Sequence, residues 1–247
     1  PASNPPPRVS WLLVDPEKAV FESIKSKWIS TTDDGYIVFH DVPIDGYVKP
    51  SKPFTCMAAN LQLGDFKFGH KFFLDVTSQP KDNETALVDL HPVENKVEAI
   101  VGKVQKLYCL FSRQPLYETY WTHNGSRIDL NGPTYTVEEY HNALVFNVTE
   151  ESGGEYVCHI VHDPEVTKIF TVDVKAGPSW KYGAPDYVTV GEGETVTFDC
   201  AANGIPPPEY QFLKNGVSIK SNATGIEISG SKLTITDVQK STHVGEQ

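Results

Sequence analysis

Two cysteines, with a tryptophan and a tyrosine at fixed places between them, constrain this chain more than any other feature. Trp121 follows Cys109 by twelve residues, and Tyr156 precedes Cys158 by two residues. In a sandwich of two β-sheets this order places one cysteine on each sheet, packs the tryptophan on the disulfide and lets the tyrosine hold a corner of the chain. The sequence therefore predicts an all-β, immunoglobulin-like β-sandwich with a Cys109–Cys158 disulfide.

Three segments of the chain repeat one pattern, in which a proline-rich loop enters a strand with a large aromatic residue. We predict that these aromatic residues, Trp11, Trp121 and Phe212, are core anchors, as is Tyr156. The two later copies continue into Asn-Gly, at Asn124 and Asn215, and this pair tolerates the positive φ angles of a tight hairpin turn. The repeat predicts tandem immunoglobulin-like domains of the I-set type.

The other two cysteines lie where the repeat expects half of the same disulfide. Cys56 lies at the place of a second cysteine, and Cys200 precedes Phe212 by twelve residues, at the place of a first. We predict that both are unpaired by truncation, because their partners would lie outside the chain. The alternatives are two free core thiols or a bridge between Cys56 and Cys200, since four cysteines allow three connectivities.

The repeat also predicts the domain boundaries. An immunoglobulin-like domain that lacks its N-terminal strands covers 1–76, with Lys71–Val76 as its last strand, and a linker covers 77–92. A complete domain covers 93–175, and a domain that lacks its C-terminal strands covers 176–247. The linker is long enough to let neighbouring domains fold back on each other.

Charge and hydropathy exclude several partners. The formal net charge of −11 argues against nucleic acid, whose phosphates need a basic surface. No apolar run is long enough to predict a membrane span in this sequence. Glycosylation sequons begin at four asparagines, and together with paired cysteines they predict a secreted, extracellular glycoprotein. These asparagines are Asn83, Asn124, Asn147 and Asn222.

The sequence contains no pattern typical of a catalytic, cofactor or zinc site, so we predict a protein that is not an enzyme. His159 and His162 are three residues apart on a predicted strand, where they would point to opposite faces rather than share a metal ion. Asp33-Asp34-Gly35 predicts a turn, with a calcium site at a domain junction as the alternative. Four lysines predict a solvated face, with a phosphate-binding patch as the alternative. They are Lys25, Lys27, Lys49 and Lys52.

Several stretches resemble one family, that of hemolin and the neuroglian-type neural cell adhesion molecules. The first segment is similar to the second immunoglobulin domain of this family, and the later segments are similar to the third and fourth. The stretches that carry the resemblance are Pro5–Trp11, Glu22–Ser26, Asp34–Phe39, Cys56–Ala59, Gly69–Lys71, Lys106–Cys109 and Leu233–Ser241. Two departures are Ser152, where such domains usually carry aspartate, and Phe212 in place of tryptophan.

The resemblance is greater to hemolin, and it implies a function in binding. It implies a secreted protein of innate immunity that binds bacterial surface lipopolysaccharide, with haemocyte and homophilic adhesion through cell-surface or immunoglobulin-domain partners. It also implies a contact between the first and middle domains.

The alternative is an ectodomain fragment of a neuroglian-type adhesion receptor. An enzyme with an immunoglobulin appendage and an intracellular structural array are further alternatives. The sequence assigns no ligand-binding residues.

Overall fold

The regular structure of the described residues is almost entirely β-strand, which confirms the predicted all-β class. The computed structural model describes residues 4–18, 20–41, 52–75, 87–92, 94–112, 119–138, 142–183, 188–221 and 225–240. Within these residues the regular structure other than strands is a single short 3-10 helix, Glu150–Ser152. The chain divides into two compact units, Pro1–Asp173 and Val174–Gln247. The finer domain boundaries stay predictions.

The described residues of the first sandwich, within 4–75, form six strands. They are β1 (Arg8–Asp15), β2 (Val20–Ser23), β3 (Ile29–Thr31), β4 (Ile37–Phe39), β5 (Phe54–Asn60) and β6 (Asp65–Phe68). An antiparallel sheet has the order β2-β1-β5-β6, and β3 pairs with β4. Its core contains Leu13, Ile29 and Phe54, against which Trp11 packs. In the register of β1 on β5, Trp11 lies opposite Cys56.

The last strand of this sandwich begins earlier than we predicted. The Asn60 side chain accepts the amides of Gln62 and Leu63 at 3.1 and 3.2 Å, which forms a tight turn directly after β5. The chain therefore returns at once as β6. Of the predicted strand Lys71–Val76, the described part contributes one isolated bridge, between Phe72 and Phe54, while Val76 lies outside the described residues.

The second sandwich, residues 87–173, contains two sheets joined by the predicted disulfide. Its strands are β7 (Lys96–Ile100), β8 (Val104–Tyr108), β9 (Thr119–His123), β10 (Ser126–Arg127), β11 (Tyr135–Glu138), β12 (Ala143–Asn147), β13 (Gly154–Ile160) and the part of β14 (Asp163–Trp180) up to Asp173. One sheet has the order β10-β9-β13-β14 with β7 on β14, and the other has the order β11-β12-β8. Cys109, after β8, is bonded to Cys158 on β13. Trp121 lies opposite Cys158 and is 1% exposed.

Tyr156 holds a corner of the second sandwich. Its hydroxyl donates to the Ser152 carbonyl oxygen at 3.0 Å, and its ring stacks on Phe146 at 5.1 Å. Burial raises the pKa of Tyr156 well above its usual range. Ser152 lies where such domains usually carry aspartate. Its hydroxyl accepts a hydrogen bond from the Thr149 amide at 2.9 Å and so caps the short 3-10 helix. In the first sandwich the corresponding residue is Phe54, which has no hydroxyl to form such a bond.

The second unit contains the remaining strands. They are the part of β14 from Val174, β15 (Val196–Asp199), β16 (Ala202–Ile205), β17 (Leu213–Lys214), β18 (Val217–Ser218), β19 (Ile226–Ser229) and β20 (Lys232–Ile235). One sheet has the order β15-β20-β19, β17 pairs with β18, and β16 pairs with β14. Leu233 is buried and Ile235 is half-buried. The predicted Asn-Gly turns are confirmed, with φ of 48° at Asn124 and 49° at Asn215.

Candidate functional site: the contact between the first two sandwiches

The hairpin of β3 and β4 presents two aspartates at its tip. The turn is closed by the Tyr36 amide, which donates to the Thr32 hydroxyl at 3.0 Å, and it needs Gly35 because φ is +97° there. The Trp11 indole donates to the Gly35 carbonyl oxygen at 2.8 Å, which ties the turn to β1. The predicted turn at Asp33-Asp34-Gly35 is therefore confirmed, and it places both carboxylates against the second sandwich.

Asp33 contacts the second sandwich through its backbone and its side chain. Its amide donates to the Tyr108 hydroxyl oxygen at 2.9 Å. Its carboxylate lies 3.2 Å from the Lys106 ammonium, which also lies 2.9 Å from Glu138. Tyr108 is buried, and burial raises its pKa well above its usual range, so the phenol stays neutral. Lys106 thus sits between one carboxylate of each sandwich.

Asp34 pairs with a buried histidine. Its carboxylate lies 3.0 Å from Nε2 of His91, a residue that is 3% exposed. The imidazole packs edge-on to Tyr36 at 5.0 Å and to Tyr108 at 5.5 Å. Two aromatic rings, one from each sandwich, therefore fix the histidine that holds the second aspartate.

A second histidine, His40, also connects the two sandwiches. Its Nδ1 lies 2.8 Å from the Phe111 carbonyl oxygen, and its Nε2 lies 2.7 Å from the Ser30 hydroxyl. Since a carbonyl accepts only, Nδ1 carries the proton, and the neutral ring then accepts the Ser30 hydroxyl at Nε2. Burial lowers the pKa of His40, and the Phe111 carbonyl opposes this shift.

Apolar packing completes the contact. Val38 of β4 forms one buried cluster with Tyr108, Leu110 and Ala143 of the second sandwich, and Leu90 packs against it. The contact that the resemblance implied between the first and middle domains is therefore present, with an apolar centre and charged pairs around it.

The end of the predicted linker belongs to the second sandwich. Leu90 donates its amide to the Leu110 carbonyl oxygen at 2.9 Å, and Asp89 forms a bridge with Phe111. The Lys168 ammonium, 3% exposed, lies 2.9 Å from the Asp89 carboxylate and donates to the His91 carbonyl oxygen at 2.6 Å. This pairing of residues 87–92 was not predicted from the sequence. The alternation of Val88, Asp89, Leu90 and His91 was the signal that could have revealed it.

A cavity of about 540 Å³ lies beside the contact. Its lining carries both signs of charge, from Arg8, Asp33, Asp34 and Lys106. Each aspartate already has a side-chain partner here, Lys106 for Asp33 and His91 for Asp34. Within the part of the chain that the structure describes, no three His, Cys, Asp or Glu side chains form a metal-binding group.

The remaining predicted residues lie in separate places. Cys56 and Cys200 are half-buried free thiols, and burial raises the pKa of Cys200. Trp11 and Phe212 are half-buried. His159 stacks on Tyr120 at 4.5 Å.

Two sequon asparagines and three of the clustered lysines, Lys25, Lys27 and Lys52, lie in the described residues. Asn124 and Asn147 are exposed, whereas Asn83 and Asn222 lie outside the described residues. Lys52 lies 3.2 Å from Asp15, and Lys27 lies over the Trp28 ring at 5.6 Å. Lys49 lies outside the described residues.

The paired sheets, the disulfide and the tyrosine corner define the class of the fold, a tandem immunoglobulin-like β-sandwich. A model of the immunoglobulin domain family matches residues 181–245. The chain is related to neuroglian of Drosophila melanogaster, with 25% identity over 228 residues, which cover 90% of this chain and 17% of neuroglian. Neural cell adhesion molecule L1.1 of Danio rerio is 31% identical over 158 residues, covering 60% of this chain and 13% of that protein. The chain thus spans less than a fifth of these relatives' length.

Solved structures show the same tandem fold. The insect immune protein hemolin matches with a TM-score of 0.77 and 20% identity, over 94% of this chain and 61% of that chain. Immunoglobulin domains 1–4 of Sidekick-1 match with a TM-score of 0.66 and 21% identity, over 97% of this chain and 62% of that chain. At such identities the likeness shows the fold alone. Among the described residues no helix is long and apolar enough to cross a membrane.

Proposed function

We propose that this chain functions in extracellular adhesion, by binding immunoglobulin domains of a second copy of itself. The observation that carries the proposal is its relation to neuroglian along 90% of its length. The domain arrangement of hemolin has implications for homophilic adhesion, and this supports the same kind of partner here. Binding, not catalysis, is the proposed activity.

The contact between the first two sandwiches supports an adhesive role. Val38, Tyr108 and Leu110 form its apolar centre, and Asp33 and His40 add hydrogen bonds across it. A chain fixed in this way presents its outer surfaces without the cost of ordering a flexible linker on binding. The Cys109–Cys158 disulfide supports an extracellular location, since such bonds persist in oxidising compartments. Secretion, and glycans on Asn83, Asn124, Asn147 and Asn222, are part of the proposal.

Sedimentation equilibrium of the purified chain tests self-binding. We expect a reversible, concentration-dependent increase in mass above that of the 27.4 kDa monomer. The variant used should be Cys56→Ala/Cys200→Ala, because the two free thiols could otherwise form covalent dimers. A chain that stays monomeric up to its solubility limit would contradict homophilic binding.

A second candidate is hemolin-like innate immunity through bacterial lipopolysaccharide, with haemocytes as cellular partners. The similarity to the hemolin fold over 94% of the chain favours it. The net charge of −11 works against it, because lipopolysaccharide is itself anionic. Titration with lipopolysaccharide vesicles and with neutral vesicles separates the two candidates: selective binding to lipopolysaccharide supports this one, and equal, weak binding to both rejects it.

A further inference from the structure

One face of the β2-β1-β5-β6 sheet points away from the core of the first sandwich. Trp11 lies opposite Cys56 and Leu13 lies opposite Phe54, and these pairs face the core. Because successive residues of a strand point to opposite faces, the alternate pairs point outward. The outer positions are Arg8, Ser10, Leu12 and Val14 on β1, Phe21 and Ser23 on β2, Thr55, Met57 and Ala59 on β5, and Phe66 and Phe68 on β6. We call this set the outer face.

Three exposed phenylalanines dominate the outer face. Phe21, Phe66 and Phe68 are 49%, 55% and 42% exposed. Phe21 and Phe68 come from opposite edges of the sheet, yet their rings stack with centroids 4.3 Å apart and planes 9° apart. Phe66 lies 5.6 Å from Phe68, edge to face. On the same face of the middle strands, Thr55 and Val14 are 2% and 6% exposed.

The outer face carries almost no charge. Arg8, at one end, is its one charged position, and its guanidinium lies 3.7 Å from Asp33. The corresponding face of the second sandwich differs, because the register of β9, β10, β13 and β14 places Arg127, Glu155 and His159 on it. An uncharged aromatic surface is unusual on a chain with a net charge of −11, and contiguous exposed apolar surfaces mark interaction sites.

We propose that the outer face is where a second copy of this chain docks, a proposal that rests on the homophilic function above. In a contact with two-fold symmetry each patch faces its own copy, so any charge near the axis meets the same charge. Elsewhere on an acidic chain such self-contact would place like charges together. The outer face avoids this, and its aromatic residues are of the kind that supplies most of the binding energy at interfaces.

The test compares phenylalanine variants by sedimentation equilibrium in the Cys56→Ala/Cys200→Ala chain. Phe21→Ser and Phe68→Ser each remove one of the stacked rings, and we expect each variant to stay folded because the side chains are 49% and 42% exposed. Phe73→Ser is the matched control, because Phe73 is 60% exposed but lies outside the four strands. We expect each outer-face variant to weaken self-association by about tenfold or more, and the control to leave it unchanged.

Two results would overturn the proposal, and they differ. If the parent chain self-associates and both outer-face variants do so equally well, the homophilic function stands but this surface is wrong. A different partner, or another segment of the same chain, would then cover the outer face. If the parent chain does not self-associate, both the homophilic function and the second copy as occupant are wrong.

Discussion

The backbone amide of Asp33 donates a hydrogen bond to the hydroxyl oxygen of Tyr108 at 2.9 Å. The two residues belong to different sandwiches and lie far apart in the sequence. The buried phenol therefore contributes to holding the tip of the β3–β4 hairpin. The Asp33–Lys106 and Asp34–His91 pairs lie next to this bond.

Replacing Tyr108 with phenylalanine should destabilise the first unit. The variant keeps the ring but leaves the Asp33 amide without its partner, which we expect to cost about 1 kcal/mol. Urea unfolding monitored by fluorescence measures the change. Tyr182→Phe is the control, because this tyrosine is 75% exposed, and it should have no effect. Equal stability of Tyr108→Phe and the parent chain would show that the bond contributes nothing.

Stability should depend on pH through His40. Burial lowers its pKa from an ordinary value near 6.5, so between the folded and unfolded pKa values the unfolded chain binds more protons than the folded chain. The free energy of unfolding should therefore have its full value above about pH 6.5 and should decrease as the pH falls below that value.

The variant His40→Asn tests this dependence. It removes the titrating ring and retains a donor for the Phe111 carbonyl, while the Asp34–His91 pair stays in place. Urea unfolding at several pH values from 7.5 to about 5 should show a flatter profile for the variant than for the parent chain. If the stability profiles of the variant and the parent chain are parallel, the pH dependence comes from groups other than His40.

Lys168→Met should detach the segment 87–92 from the second sandwich. The substitution removes the donor to the Asp89 carboxylate and the His91 carbonyl oxygen. We expect a loss of about 2 kcal/mol, below the cost of breaking a fully buried pair, because the Asp89 side chain is 34% exposed.

Hydrogen exchange locates the effect of Lys168→Met. The amides of Leu90 and Ser112, which bond to Leu110 and Val88, should lose protection. Lys103→Met, at an exposed lysine, should leave both amides protected. If the Leu90 and Ser112 amides stay protected in Lys168→Met, the backbone hydrogen bonds alone hold the segment 87–92 in place.

Gly69→Ala should disrupt the packing around Cys56. A Cβ atom at residue 69 would collide with the Cys56 sulfur, and relief of such overpacking typically costs about 1–3 kcal/mol. In a Cys56→Ala background the same substitution should cost much less, because the colliding atom is gone. Gly132→Ala, where the added Cβ makes ordinary contacts, is the control. Urea unfolding of the four chains gives the coupling energy, and additive effects would contradict the account.

Sequence reasoning succeeded where the pattern is local or set by fixed spacing. The Cys109–Cys158 disulfide follows from the placement of Trp121 and Tyr156 between the cysteines, and the Asn124 turn follows from its glycine neighbour. It failed at the last strand of the first sandwich, because apolar content favoured Lys71–Val76 while the Asn60 side chain started the hairpin earlier.

The contact between the sandwiches could be expected only in outline. The resemblance implied that two domains meet, but Asp33 and Tyr108 are 75 residues apart and no periodicity links them. His40, His91 and Lys168 are polar residues that the sequence presents as surface, yet all three are buried. Burial of a polar group depends on which partners the tertiary fold brings to it, and this information is absent from the local pattern.

Homophilic adhesion is tested most directly by aggregation of coated beads. Beads of one colour carry this chain, and beads of a second colour carry an unrelated tandem immunoglobulin chain. We predict that beads with this chain aggregate among themselves and exclude the second colour, and that Phe68→Ser on the beads abolishes the aggregation. Beads that stay dispersed at every coating density, or that aggregate equally with the unrelated chain, would contradict the account.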